Sequence, residues 1–157
     1  MKIRDFLSGT LNTAVLCAIA TTGILGVQEA KANEKLAQIK ESDRLCLAKN
    51  IFFEARNQET MGKVAVAWVT LNRMESERYP DSVCGVVEQS RKDSNGNPIR
   101  NQCHFSWFCD GKSDKIPDNI ISQRAWEDSQ LIADVVLLDW ANGRKGPVYG
   151  ATMYHAD

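Results

Sequence analysis

The chain has 157 residues, 43% of them hydrophobic, with a formal net charge of −1. That length allows one ordinary domain beside a short targeting segment and excludes two full-sized ones. The near-neutral balance gives no basic surface for nucleic acid, so binding to any anionic polymer has to rest on local contacts.

Residues 1–32 read as an export signal. Lys2 and Arg4 make a basic start, Ala14 to Val27 is uncharged and mostly apolar, and Ala30-Lys31-Ala32 sets small residues at a signal peptidase site, with cleavage expected after Ala32. The apolar stretch is shorter than the roughly 20 residues that span a bilayer. Left uncleaved, the segment would act as a membrane anchor and give a loose membrane association, since residues 6–13 are only mildly polar. Removing it takes three basic and two acidic residues and leaves a net charge of about −2.

Residues 33–42 form a short linker, and 43–157 the domain. Ser42-Asp43 reads as the N-cap of a helix running to about Gln58. Within it, Glu54 follows Ile51-Phe52-Phe53 and shares a face with Leu47, Asn50, Ile51 and Gln58. A carboxyl group held against aromatic surface is partly desolvated, which favours the protonated form that a general acid needs. The competing reading is a solvated helical Glu paired with Lys49 or Arg56.

Thr60 reads as the cap of a second helix, 61 to about 77, whose Val64–Leu71 stretch is apolar on nearly all sides and so central to the domain. Pro80-Asp81-Ser82 breaks the chain, and Ser82 caps a short helix over 83–89. Arg91 to Gln102 is rich in turn formers, among them Asn95-Gly96, and predicts a surface loop or the tip of a small hairpin. An aromatic stretch follows with Phe105, Trp107 and Phe108, then Asp110-Gly111 as a turn.

The last helix starts after Ser122 as N-cap. Ala125, Trp126, Ser129, Ile132, Ala133, Val136, Leu137 and Trp140 recur at helical spacing up to Gly143. Trp68, Trp126 and Trp140 read as core, and Gln130 and Asp134 as a solvated face. Asn72 suits either a sugar contact or a contact at its helix end. Val148 to His155 is a short strand or an extended tail. The fold expected is mainly α (α+β), a helical domain with a small β or loop lobe.

Four cysteines, Cys46, Cys84, Cys103 and Cys109, remain after export. An even number in an exported chain reads as two disulfides with three available pairings. The C-x5-C spacing of the last two suits a local clip, which leaves Cys46 with Cys84. No metal site or cofactor is expected: there is no C-x2-C pair, and the two histidines, His104 and His155, show no H-E-x-x-H spacing.

Taken in order, these segments resemble the SleB-type cell-wall hydrolases. The blocks that carry the likeness are Cys46-Leu47-Ala48 with Phe53-Glu54-Ala55-Arg56, then GKVAVAWVTLNR over 62–73, and Pro80-Asp81-Ser82-Val83-Cys84. Cys103-His104-Phe105-Ser106-Trp107 with Cys109-Asp110-Gly111, and Gly150-Ala151-Thr152 with Tyr154-His155, complete the set. His104 stands where the family usually has Gln, and Met153 where it commonly has His.

The resemblance implies a lysozyme-like fold, peptidoglycan glycan strands as substrate, and Glu54 as the catalytic acid. Phe105, Ser106, Trp107, Tyr154 and His155 are the candidates to line the sugar groove, Phe105 and Trp107 having a core role as the competing reading. One well-placed carboxylate favours a lytic transglycosylase, expected as an exported monomer in the periplasm or wall space. A hydrolase would need a second carboxylate, for which Asp110 and Glu88 are candidates. A metal-dependent amidase would draw on His104 and His155, and a non-catalytic wall-binding module would leave Glu54 exposed.

Overall fold

In a computed structural model of the protein, the described residues run from Ile39 to Met153, with Ala30, Glu34 and Ala37 placed singly before them. The expected export segment, apart from Ala30, lies outside these residues, as do Tyr154 and His155. Among those described there are four α-helices, one two-stranded antiparallel sheet and a short 3-10 helix. The mainly α expectation holds.

Helix α1 (Glu41–Ala55) begins at the N-cap Lys40, earlier than Ser42-Asp43 predicts, and uses no side-chain cap. The reason is tertiary. The buried Asp43 carboxylate accepts the backbone N–H of Cys84 at 2.8 Å, at the start of α3 (Val83–Val87). Ser82 accepts from Gly85 N at 3.2 Å and caps that helix as the sequence predicts. Two oxygens from different parts of the chain thus satisfy the donors at one helix start. The Cys46–Cys84 disulfide, one helical turn along α1 from Asp43, locks the same junction.

A four-residue connection leads into α2 (Thr60–Met74), N-capped by Glu59 rather than Thr60. So short a link makes α1 and α2 antiparallel neighbours. Helix α4 (Ile120–Ala141) likewise starts three residues ahead of expectation. Asn119 is its N-cap and accepts the Ser122 N–H at 2.9 Å, so Ser122 is the capped residue and not the cap.

The core lies where α1, α2, α3 and α4 meet, around Leu47, Ile51, Leu71, Val86, Val136 and Leu137. Trp68 and Trp140 are buried in it, and Trp126 packs on its edge with Phe52. Asp134 is not merely solvated. It forms a two-pronged ion pair with Arg44 of α1, which raises the Arg44 pKa. Lys63 of α2 pairs with Asp128 of α4.

After α4 the chain turns at 147–150 and runs back as an irregular segment to Met153, so no strand forms over the described part of the stretch. Side chains at the end of α2 pin it. Asn72 donates to the carbonyls of Val148 and Ala151 at 3.0 and 2.8 Å, and Arg73 Nε donates to that of Thr152 at 2.8 Å. Asn72 therefore makes the contact at its helix end. Gly146 lies against Trp68 so closely that a Cβ there would fall 2.2 Å from the indole Cγ.

The second lobe is small. Strands β1 (Ser90–Lys92) and β2 (Pro98–Cys103) pair with Ser90 opposite Cys103 and Lys92 opposite Pro98. The unequal spacing of these pairs places a bulge in β2, where Asn101 takes φ 60°. Asp93 accepts the backbone N–H groups of Asn95 and Asn97, both at 2.9 Å, and closes the turn at Asn95-Gly96. Beyond β2 the 3-10 helix (Ser106–Cys109) is tied back by the Cys103–Cys109 disulfide. Both cysteine pairings are those the spacing suggests.

Candidate active site

The last two turns of α1 and the 3-10 helix face each other across the seam between the lobes. Trp107 lies flat on Phe53, with ring centroids 4.7 Å apart and planes 20° from parallel. Its indole N–H donates to Asn50 Oδ1 at 2.9 Å. Asn50 Nδ2 donates in turn to Thr70 Oγ1 at 3.0 Å, and that hydroxyl donates to the Val66 carbonyl at 2.9 Å. Asn50 and Thr70 are both 0% exposed.

The chain of bonds has one sense only. An indole N–H can only donate and a carbonyl can only accept, so the Asn50 amide is fixed the way round it is. A satisfied buried network of this kind rigidifies what it touches. Here it fixes Trp107, and with it the 3-10 helix, against α1. Asn50 was noted in the sequence only for sharing the Glu54 face, and its partners were not legible there. An Asn at a core-facing helical position, one turn before Glu54, was the available signal.

Glu54 sits in the final turn of α1 and is half-buried. At 100° per residue it lies about 40° around the helix from Asn50, while Phe53 lies about 60° to the other side. Leu47, Asn50 and Ile51 of its predicted face are buried, but the helix ends before Gln58. Arg56 lies over the Phe52 ring at 5.1 Å, and Lys49 exerts its charge on Asp114.

Beside the Trp107–Phe53 stack opens a cleft of about 260 Å³, lined also by Arg56, Asp110, Lys112 and Asp114. Its two carboxyl groups are pushed in opposite directions. The Lys112 backbone N–H, donated to Asp110 at 2.8 Å, holds Asp110 below the usual range, and the Lys112 ammonium adds to this. Burial pushes Asp114 up, the neighbouring Asp110 charge pushes the same way, and Lys49 opposes both. Asp114 was not singled out from sequence, because a lone Asp in a polar loop carries no pattern.

The remaining candidates divide. Ser106 is exposed at the start of the 3-10 helix. Phe105 is only 1% exposed and packs into the helical core under the Arg73 guanidinium, 4.7 Å from its ring centroid. In this conformation it offers no face to a sugar, and the core reading holds for it. Tyr154 and His155 lie outside the described residues. His104 is exposed, with its ring edge-on to Tyr79.

Among the described residues, Cys46, Cys84 and Glu88 are the one set of three potential metal-binding side chains that comes together. Its sulfurs are bonded to each other, which leaves no thiolate to bind a metal. The two candidates for a second carboxylate line different clefts, Asp110 the one beside Trp107 and Glu88 one shared with Phe108. No helix among the described residues is long and apolar enough to cross a membrane.

Residues 57–157 match the family model described as Cell Wall Hydrolase. Glu54 lies three residues ahead of that segment, whereas Trp107, Asp110 and Asp114 lie within it. The chain is 32% identical over 124 residues to a spore cortex-lytic enzyme of Halalkalibacterium halodurans, covering 79% of this chain and 30% of that protein. It is 38% identical over 60 residues to a spore cortex-lytic enzyme of Bacillus subtilis, covering 38% of this chain and 20% of that protein. The chain thus spans less than a third of the length of these relatives. No solved structure matches it. With the family model covering well over half of its length, the chain belongs to the cell wall hydrolase family.

Proposed function

We propose that the protein degrades peptidoglycan by cleaving the glycan strand at the muramyl–glucosaminyl bond, with Glu54 as acid and then base. The observation that carries this reading is the placement of Glu54. It is a half-buried carboxyl group in the turn of α1 that also holds the Phe53–Trp107 stack. Half-burial also speaks against a non-catalytic module. Aromatic faces pack on sugar C–H surfaces, and Trp107 lines a cleft open to solvent.

In the transglycosylase form, protonated Glu54 gives its proton to the bridging oxygen as the C1–O bond breaks and the glucosaminyl end leaves with a new hydroxyl. Glutamate then takes the proton of the muramyl C6 hydroxyl, whose oxygen bonds to C1. The product is a 1,6-anhydro ring, no water is consumed, and Glu54 is protonated again. One carboxyl group serves both steps.

The second reading is hydrolysis. It is favoured by Asp110 and Asp114, which line the Trp107 cleft and are pushed toward opposite protonation states, the environment pattern of an acid and base pair. The two disulfides suit an exported protein working in an oxidising wall space.

Glu54→Gln preserves shape but cannot donate the proton. Glycan cleavage should fall by about 10²–10⁴-fold with the fold intact, as read by mass spectrometry of peptidoglycan digests and by circular dichroism. Anhydro ends without 18O from labelled water are expected. Labelled reducing ends would move the enzyme to the hydrolase class, and full activity in the Gln variant would remove Glu54 from the site.

A further inference from the structure

A second cleft, of about 360 Å³, lies on the other side of the 3-10 helix, between the end of α3 and the hairpin. It is lined by Glu88, Gln89, Ser90, Lys92, Pro98 and Phe108 among others. Two of these residues carry side-chain oxygens withdrawn from water and without a partner, Gln89 Oε1 and Ser90 Oγ. Buried polar atoms are ordinarily paired, so two neighbouring orphans on one cleft wall call for an explanation.

Their backbone is firmly mounted. The Gln89 carbonyl accepts His104 N–H at 3.0 Å, and Ser90 is paired with Cys103, itself bonded to Cys109. The side chains keep freedom that the backbone lacks. One torsion turns the hydroxyl and one turns the amide plane, so both can meet a group entering the cleft.

We propose that this cleft binds the peptide stem of the peptidoglycan strand whose sugars occupy the Trp107 side, an inference that rests on the glycan-cleaving reading above. Adjacency supports it. Phe108 lines this cleft and Trp107 the other, and their rings stand edge to face at 6.0 Å. A stem branches from the muramyl unit, so sugar and stem reach neighbouring clefts from one branch point.

Chemistry supports it as well. A stem offers amide donors and acceptors, a free amine, free carboxylates and alanine methyls. Gln89 and Ser90 meet the amides, Glu88 the amine, Lys92 a carboxylate, and Phe108 with Pro98 the methyls. A neutral sugar would make no use of opposite charges on one cleft.

The test compares glycan strands bearing stems with the same strands stripped of them. For Gln89→Ala combined with Ser90→Ala, KM on stem-bearing strands should rise about tenfold, the loss of one or two hydrogen bonds. KM on stripped strands and kcat on both should stay unchanged. Lys92→Glu should shift KM in the same substrate-dependent way.

Independently, a soluble stem tetrapeptide titrated into the whole protein should move the amide NMR signals of residues 88–92 and Phe108. Equal effects on both substrates, or a tetrapeptide that moves no signal in this cleft, would overturn the proposal. If the wild-type protein cleaved neither substrate, the glycan-cleaving reading would fail, and the tetrapeptide titration would still decide the occupant of the cleft.

Discussion

The two lobes are held together by different physics. In the helical lobe the side chains that decide the structure are fully buried: Leu47, Ile51, Val69, Leu71 and Val86 are each 0% exposed. In the hairpin every residue from Arg91 to Pro98 is exposed, and its shape comes from hydrogen bonds to Asp93, a bulge at Asn101 and one short disulfide. Packing carries the first lobe and local bonding the second. Two aromatic residues join them, Phe105 driven into the helical core and Trp107 tied to Asn50. The candidate active site therefore stands where a rigid scaffold meets a lobe with little core of its own, an arrangement that lets binding groups be held precisely while the loop sequence varies.

The disulfides give the sharpest way to break that comparison. Cys46–Cys84 closes 38 residues and Cys103–Cys109 only 6. In the chain-entropy account, removing the first should cost about 4 kcal/mol and the second about 2 kcal/mol. Paired Cys→Ala variants unfolded in denaturant measure both. The first pair should lower global stability. The second should show mainly as loss of amide exchange protection in β2 and the 3-10 helix. If the second proved the more costly globally, Phe105 and its clip would belong to the folding core, and the division of the lobes would be drawn in the wrong place.

The next effect tests packing alone. Gly146→Ala places a methyl group inside contact distance of the Trp68 ring, which is buried and has nowhere to retreat. Overpacking of this kind costs about 1–3 kcal/mol. Denaturant unfolding should show the loss, and the tail held by Asn72 and Arg73 should lose exchange protection with it. The same change at Gly96, where no atom lies within 4 Å of the added Cβ, meets only the conformational cost of φ +82°.

Much of the helical lobe was legible because apolar spacing is a local signal that burial then enforces. Val136, Leu137 and Trp140 are core for the reason their spacing gives. The starts of α1 and α4 were not legible to the residue. Asp43 looks like a cap in sequence but is drawn to the Cys84 amide by a contact 41 residues away, and Asn119 outcompetes Ser122 from an unremarkable loop. Asp134 has the sequence look of a solvated acid, and only the fold brings Arg44 to it. At the site, Glu54 stood out because an acid after three apolar residues is unusual. The bonds joining Asn50, Thr70 and Trp107 come from three separate elements and left no pattern to read.

The smallest expected effect sits at the hairpin tip and asks whether local bonding there acts alone. Asp93 is fully exposed, yet the Asn97 backbone N–H, followed by that of Asn95, holds its pKa below the reference value of 3.8. A carboxyl group with a lowered folded pKa stabilises the folded state fully above its unfolded value. That contribution disappears as the pH falls from about 3.8 through the lower folded value, where folded and unfolded forms bind the proton alike. Asp93→Asn keeps an oxygen that can accept both amides but removes the titration. Melting curves of the two proteins should therefore run nearly parallel across acid pH, their small gap closing only below pH 4, while exchange of the Asn95 and Asn97 amides speeds up in the wild type alone. A gap that closed near neutral pH, or one as large as the Gly146 effect, would mean that the turn is coupled to the helical core and that the hairpin does not stand on its own bonds.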